Sequence, residues 1–117
     1  GSDAPTTKTT DTKDDKDPLN LTIDIYKNKI VVLKGVHRKV VKSIPVKKSK
    51  KDMKSYKKLQ NVLLKIKDNN QQEKTIILRP GRNTPYDKIV KLMDITREYQ
   101  KKEKKIKLFT QVVFEKR

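Results

Sequence analysis

The chain has no cysteine and a single histidine, His37. The first absence removes disulfides, thiolate metal sites and any redox indication of compartment. The second removes a cage of imidazoles and a histidine-based catalytic triad within one chain. Aromatic residues make up only 5%, and no two of them pair on a strand as base-stacking RNA-binding sheets require. No apolar run approaches the roughly 20 residues that cross a bilayer as a helix. No secretory signal stands at the start. Gly1-Ser2 has the form of a remnant of tag cleavage, so the chain is expected to be a piece of a longer protein.

What the chain has in excess is lysine. Lysine and arginine number 31 against 14 acidic residues, giving a formal net charge of +17. Such charge draws nucleic acid or an anionic surface by counterion release. Yet specific phosphate and base contacts favour the arginine fork, and only five of these residues are arginines. The lysines are also spread over every element instead of gathered in one stripe. Lys47-Lys48-Ser49-Lys50-Lys51 and Lys101-Lys102-Glu103-Lys104-Lys105 fall in connections beside expected helices. The plainest reading is a solvated lysine surface. The alternatives are a basic α+β nucleic-acid-binding domain and contact with an anionic envelope polymer or lipid surface.

At 117 residues the chain holds one domain at most. Residues 1–18 are Thr, Asp, Lys and Pro with almost no apolar content. Such a segment cannot offset its ordering entropy and is expected to be a disordered tail or linker. The folded domain is expected over 19–117.

Leu19, Leu21, Ile23 and Ile25 alternate with polar residues, the period of a strand with one buried face. Lys27-Asn28-Lys29 connects it to Ile30–Leu33, making a hairpin. Gly35 allows a bend, and Val36–Ile44 is β-branched enough to continue the sheet until Pro45. Ser49-Lys50-Lys51-Asp52 fits a capping box. The helix that follows places Met53, Tyr56, Leu59, Val62, Leu63 and Ile66 on one face and stops near Asp68-Asn69-Asn70. Thr75–Arg79 is a buried strand, and Pro80-Gly81-Arg82-Asn83 is turn chemistry. Thr84 is expected to cap a second helix, with Pro85 in its first position and Asp87 reaching back to the cap. Ile89, Leu92, Met93, Thr96 and Tyr99 form its apolar stripe. A last strand is expected over Ile106–Phe114.

The order β-β-(β)-α-β-α-β, with right-handed crossovers, predicts an α+β two-layer sandwich. Two helices would pack on one face of a single mixed sheet of four to five strands.

No catalytic set emerges. Asp24, Asp52, Asp68, Asp87, Asp94 and Glu98 form no carboxylate pair with an evident acid–base role; Asp94 and Glu98 lie four apart on a helix surface near Lys91 and Arg97. His37 reads as solvated or packed. Arg79–Asn83 adjoins a helix N-terminus, where an anion is favoured, but it lacks the Gly-Lys-Ser/Thr of a phosphate loop. Tyr56, Tyr86 and Tyr99 read as core residues. The expectation is a protein without enzymatic activity, cofactor or metal.

From Ile76 to Asp94 the chain resembles the periplasmic domain of the ExbD/TolR family. The resemblance rests on the strand Ile76-Ile77-Leu78-Arg79, a short turn, a helix begun by Tyr86, and Leu92-Met93-Asp94. The hairpin Leu21–Leu33 and the closing strand Leu108–Val113 fall in matching order, so it extends over about 19–115. Three features depart from the family pattern. Val36–Lys51 is longer and more basic, the turn is RPGRN, and Gln100–Lys105 replaces a glycine before the last strand. Arg79, Tyr86, Met93 and Asp94 are the family-motif positions.

The resemblance implies a non-enzymatic periplasmic module of a bacterial inner-membrane protein with a single-pass anchor. Such proteins serve proton-motive-force-driven energy-transducing complexes of the TonB-ExbB-ExbD or Tol type. The implied partners are an ExbB/TolQ-like membrane protein, a TonB/TolA-like transducer, a second copy in a homodimer, and peptidoglycan; specific nucleic acid is not implied. The proton-carrying aspartate of such proteins belongs to the anchor helix, so no acidic residue here is assigned that role. An open strand edge suits addition of an extended partner segment. The candidate edges are Leu19–Tyr26 and Ile106–Phe114, with Leu21, Ile23, Ile25, Leu108, Thr110 and Val112 as candidate partner-binding residues.

Overall fold

The computed structural model describes residues 18–47 and 53–117. The expected tail and the capping box Ser49–Asp52 lie outside them, apart from Pro18. The elements are β1 (Thr22–Ile25), β2 (Lys29–Lys34), β3 (Lys39–Pro45), α1 (Met53–Asn69), β4 (Thr75–Pro80), α2 (Tyr86–Arg97), β5 (Glu98–Lys101), β6 (Lys104–Lys107) and β7 (Gln111–Phe114). Five strands form one mixed sheet in the order β3-β2-β1-β4-β7, and β5 with β6 forms a separate hairpin. β1 is antiparallel to β2 and parallel to β4. β7 joins β4 in parallel. This is the α+β architecture that the order of periodic segments predicts.

The register explains the core. Ile23 and Ile25 of β1, Ile30 and Val32 of β2, and Ile76 and Leu78 of β4 meet Leu59, Leu63 and Leu92 of the two helices in one buried cluster. Because strand side chains alternate, these residues share one sheet face. The opposite face is not exposed either. Thr22, Asp24, Val31, Leu33 and Ile77 are all buried. β1 therefore lacks the in–out alternation that its sequence suggests, because side chains on both of its faces are shielded from water.

Several local expectations are corrected. Met53 lies 55% exposed, whereas Ser55 is buried and donates from Oγ to the Pro45 carbonyl at 2.8 Å, fastening the start of α1 to the end of β3. Thr84 does not cap α2. Its Oγ donates to Gly81 O at 2.9 Å, closing the turn, and Pro85 occupies the cap position without a side-chain hydrogen bond. Tyr86, expected in the core, is 79% exposed.

α2 stops at Arg97 because another segment takes over its carbonyls. The amides of Leu108 and Phe109 donate to Arg97 O and Thr96 O at 2.7 and 3.0 Å. This contact also breaks the expected strand Ile106–Phe114 in two. The first piece becomes β6, the Leu108-Phe109 pair turns into the core, and only Gln111–Phe114 joins the sheet. Tyr99, expected on the helix, lies in β5.

Candidate functional site

A five-stranded open sheet has two rims, and backbone groups on a rim are templates for another strand. Among the described residues the rims are β3 and β7, each with one strand neighbour. The expectation of an open edge at Leu19–Tyr26 is corrected: β1 pairs on both sides, and Leu21, Ile23 and Ile25 are at most 1% exposed. Leu108 is also core, at 1%. Thr110 is exposed just before β7, and Val112 lies half-buried within it. Only Thr110 and Val112 of the six candidates thus lie at a rim.

The two rims differ in chemistry. β3 carries Lys39, Lys42 and Pro45, residues that discourage added strands. It also has an irregular register, with Val32 opposite Lys42 and Leu33 opposite Val40. β7 is Gln-Val-Val-Phe, without charge or proline. Val113 and Phe114 are 45% and 50% exposed.

The hydrogen bonds of β7 identify its outward groups. The amides of Gln111 and Glu115 donate inward to Lys74 O and Leu78 O at 2.9 and 3.0 Å. Strand alternation then turns the amides of Val112 and Phe114 away from β4. No described strand lies beyond them.

The motif positions occupy different places. Arg79 is in β4, with its Nε 3.2 Å from Asp24 Oδ1 in the neighbouring strand. The two atoms are close enough for an ion pair but poorly aligned, and neither completes a hydrogen bond. Proximity decides that the charges interact, since both side chains are largely shielded from water. Met93 packs half-buried against the core and Asp94 is exposed. Arg79, Tyr86, Met93 and Asp94 therefore converge on no single site. Among the described residues no cluster of His, Asp or Glu could hold a metal. No helix among them is long and apolar enough to cross a membrane.

Comparison with known protein families matches residues 1–111 to the family described as Biopolymer transport protein ExbD/TolR. The chain belongs to the ExbD/TolR family. The match begins well before Leu19, where the resemblance in the sequence starts, and it includes the turn, the motif helix and the first residue of β7. No curated protein and no solved structure matches the chain. Membership makes the chain an energy-transducing subunit of biopolymer transport, a family anchored in the inner membrane with a periplasmic domain. The family works with partners of the ExbB/TolQ and TonB/TolA types.

The sequence reading missed the ion pair between Arg38 and Glu115 and the bonds from Gln60 Nε2 to the carbonyls of Ile95 and Glu98. Gln60 looked like part of a solvated helix face. Its only sequence signal is its place one residue after the buried Leu59.

Proposed function

We propose that this domain is the periplasmic assembly module of an ExbD/TolR-type subunit, and that β7 is the edge through which it engages an extended segment. That segment belongs to a second copy of the chain or to a TonB/TolA-like transducer. The observation that carries the reading is the contrast between the rims. β3 is guarded by lysines and a proline, whereas β7 offers two outward amides and two exposed apolar side chains. Strand addition there uses main-chain hydrogen bonds for affinity and alternate side chains for specificity. The domain performs no reaction; it passes on a mechanical state set by a membrane partner of the ExbB/TolQ type.

Sedimentation over a range of concentrations tests the edge. Phe114→Pro removes an outward amide and leaves the inward bonds of Gln111 and Glu115 intact. Phe114→Ala keeps that amide. Self-association, or binding of a transducer segment, is expected to survive the alanine in weakened form and to vanish with the proline. Equal behaviour of the two variants, or association untouched by either, contradicts strand addition at β7.

A further inference from the structure

Beyond the carboxyl ends of β1 and β4 the surface opens into a cleft of about 990 Å³. Its walls are mostly apolar and include Ile25, Val46, Met53 and Pro85, with the rings of Tyr26 and Tyr56. Around them stand Lys27, Lys47, Lys88, Lys91 and Arg117, and Asp87 is the one carboxylate among the described lining residues. No residue of β7 takes part, so the cleft is distinct from the β7 edge.

Arg117 is already engaged. Its guanidinium lies 4.0 Å from the centre of the Tyr26 ring, and its Nη2 donates to Ile25 O at 2.8 Å. Gly81 makes room for it, since a Cβ there would come within 2.5 Å of that nitrogen. The planar fork suited to phosphates is thereby turned to the protein's own backbone and ring. The remaining cations are ammonium groups. Lys88 Nζ lies 3.4 Å from Tyr26 O, and Lys91 Nζ stands 5.9 Å from the centre of the Tyr56 ring.

This arrangement selects a class of ligand. A recess with low-dielectric walls focuses the field of one-signed charges. Lysines meet single carboxylates as point charges, whereas bidentate phosphate recognition favours arginine. Ligand pockets commonly measure about 300–1,000 Å³; this one lies at the upper end, with room for several linked residues. Apolar walls reward side chains without charge.

We propose that the cleft docks an acidic, extended peptide segment, with its carboxylates at the lysine rim and an apolar side chain against the wall formed by Val46, Met53 and Pro85. Fluorescence anisotropy with a labelled Glu-Asp-Leu-Glu-Phe-Glu-Asp peptide tests this. The protein is compared with Lys88→Gln/Lys91→Gln and with Lys104→Gln/Lys105→Gln, which removes the same charge from β6. The cleft pair is expected to weaken binding by about tenfold and the β6 pair by no more than about twofold. The corresponding Gln-Asn peptide is expected not to bind. Equal losses in the two variants would reduce the effect to net charge and overturn the proposal. So would absence of binding, or stronger Lys88- and Lys91-dependent binding of a single-stranded oligonucleotide or an anionic vesicle. None of these results bears on β7, whose Phe114 variants read a different surface.

Discussion

Arg38 and Glu115, 77 positions apart in the chain, are joined by an ion pair. The Arg38 Nη2 donates to both oxygens of the Glu115 carboxylate, at 2.9 and 3.1 Å. Arg38 stands in the turn between β2 and β3, and Glu115 directly follows β7. The contact therefore links the hairpin that ends at one rim of the sheet with the strand that forms the other.

The backbone at Arg38 is left-handed, with φ 52°, which costs a non-glycine residue about 1 kcal/mol or more. The ion pair offsets part of that cost. Its side chains are 28% and 40% exposed, so it contributes only about 1 kcal/mol, less at high salt. Arg38→Ala keeps the backbone cost and loses the pair. Arg38→Gly loses both. Urea unfolding is expected to place Arg38→Gly above Arg38→Ala by about 0.5–1 kcal/mol, and Glu115→Gln near Arg38→Ala. An alanine variant at least as stable as the glycine one would mean that the turn relaxes freely.

Asp24 and Arg79 are a buried pair, with side chains 9% and 18% exposed. Removal of one partner leaves a shielded charge without compensation on the sheet face opposite the helices. Arg79→Leu alone is expected to destabilise by about 3 kcal/mol. Arg79→Leu/Asp24→Leu is expected to recover most of that loss, because no charge then remains buried. A double variant that recovers none of the loss would show that the stranded Asp24 charge is not its cause.

Lys67 gives the fold a pH dependence. Its Nζ lies 5.0 Å from the centre of the Phe109 ring and donates to Glu73 O. Burial lowers its pKa below the ordinary 10.5; the Glu73 carboxylate opposes this, and Lys74 adds to it. Between the lowered folded value and 10.5 the unfolded chain therefore binds more protons, so stability rises with pH across that window. Below the window the cost of the charged group is constant. Relative to Lys67→Met, the protein is expected to gain stability as pH climbs toward 10.5. A relative loss over that range would mean that the cation is favoured in the folded state.

The two core positions of α2 differ in burial. Leu92 is fully buried, whereas Met93 is half-buried against the core. Leu92→Ala is expected to cost about 3–4 kcal/mol, within the range for buried aliphatic truncation, and Met93→Ala about 1–2. The reverse order, measured by thermal or urea unfolding, would rotate the helix relative to this account.

Where side-chain period decided the outcome, the sequence was readable. The stripe Leu59, Leu63, Ile66 and the apolar run Ile76–Leu78 lead directly to the helix and strand observed. Strand order was harder. Leu21, Ile23 and Ile25 look like a half-buried rim strand, but β4 pairs with β1 across a long crossover, and nothing local to β1 signals this. The β5–β6 hairpin was hidden because Lys102 holds φ 55°, a turn position usually signalled by Gly or Asn. The split before β7 follows from two amides meeting the end of α2, a tertiary contact that apolar alternation in Ile106–Phe114 conceals. At the candidate edge, only Thr110 and Val112 of the six candidate residues lie at a rim, because partner-facing groups on a strand are mainly backbone and leave little mark on composition.

Amide hydrogen exchange along β7 tests the central claim most directly. In dilute protein the Val113 amide is expected to be protected, while those of Val112 and Phe114 exchange freely. On self-association, or on addition of a transducer segment, Val112 and Phe114 are expected to become protected together. Assembly that leaves both exchanging freely would contradict strand addition at this edge.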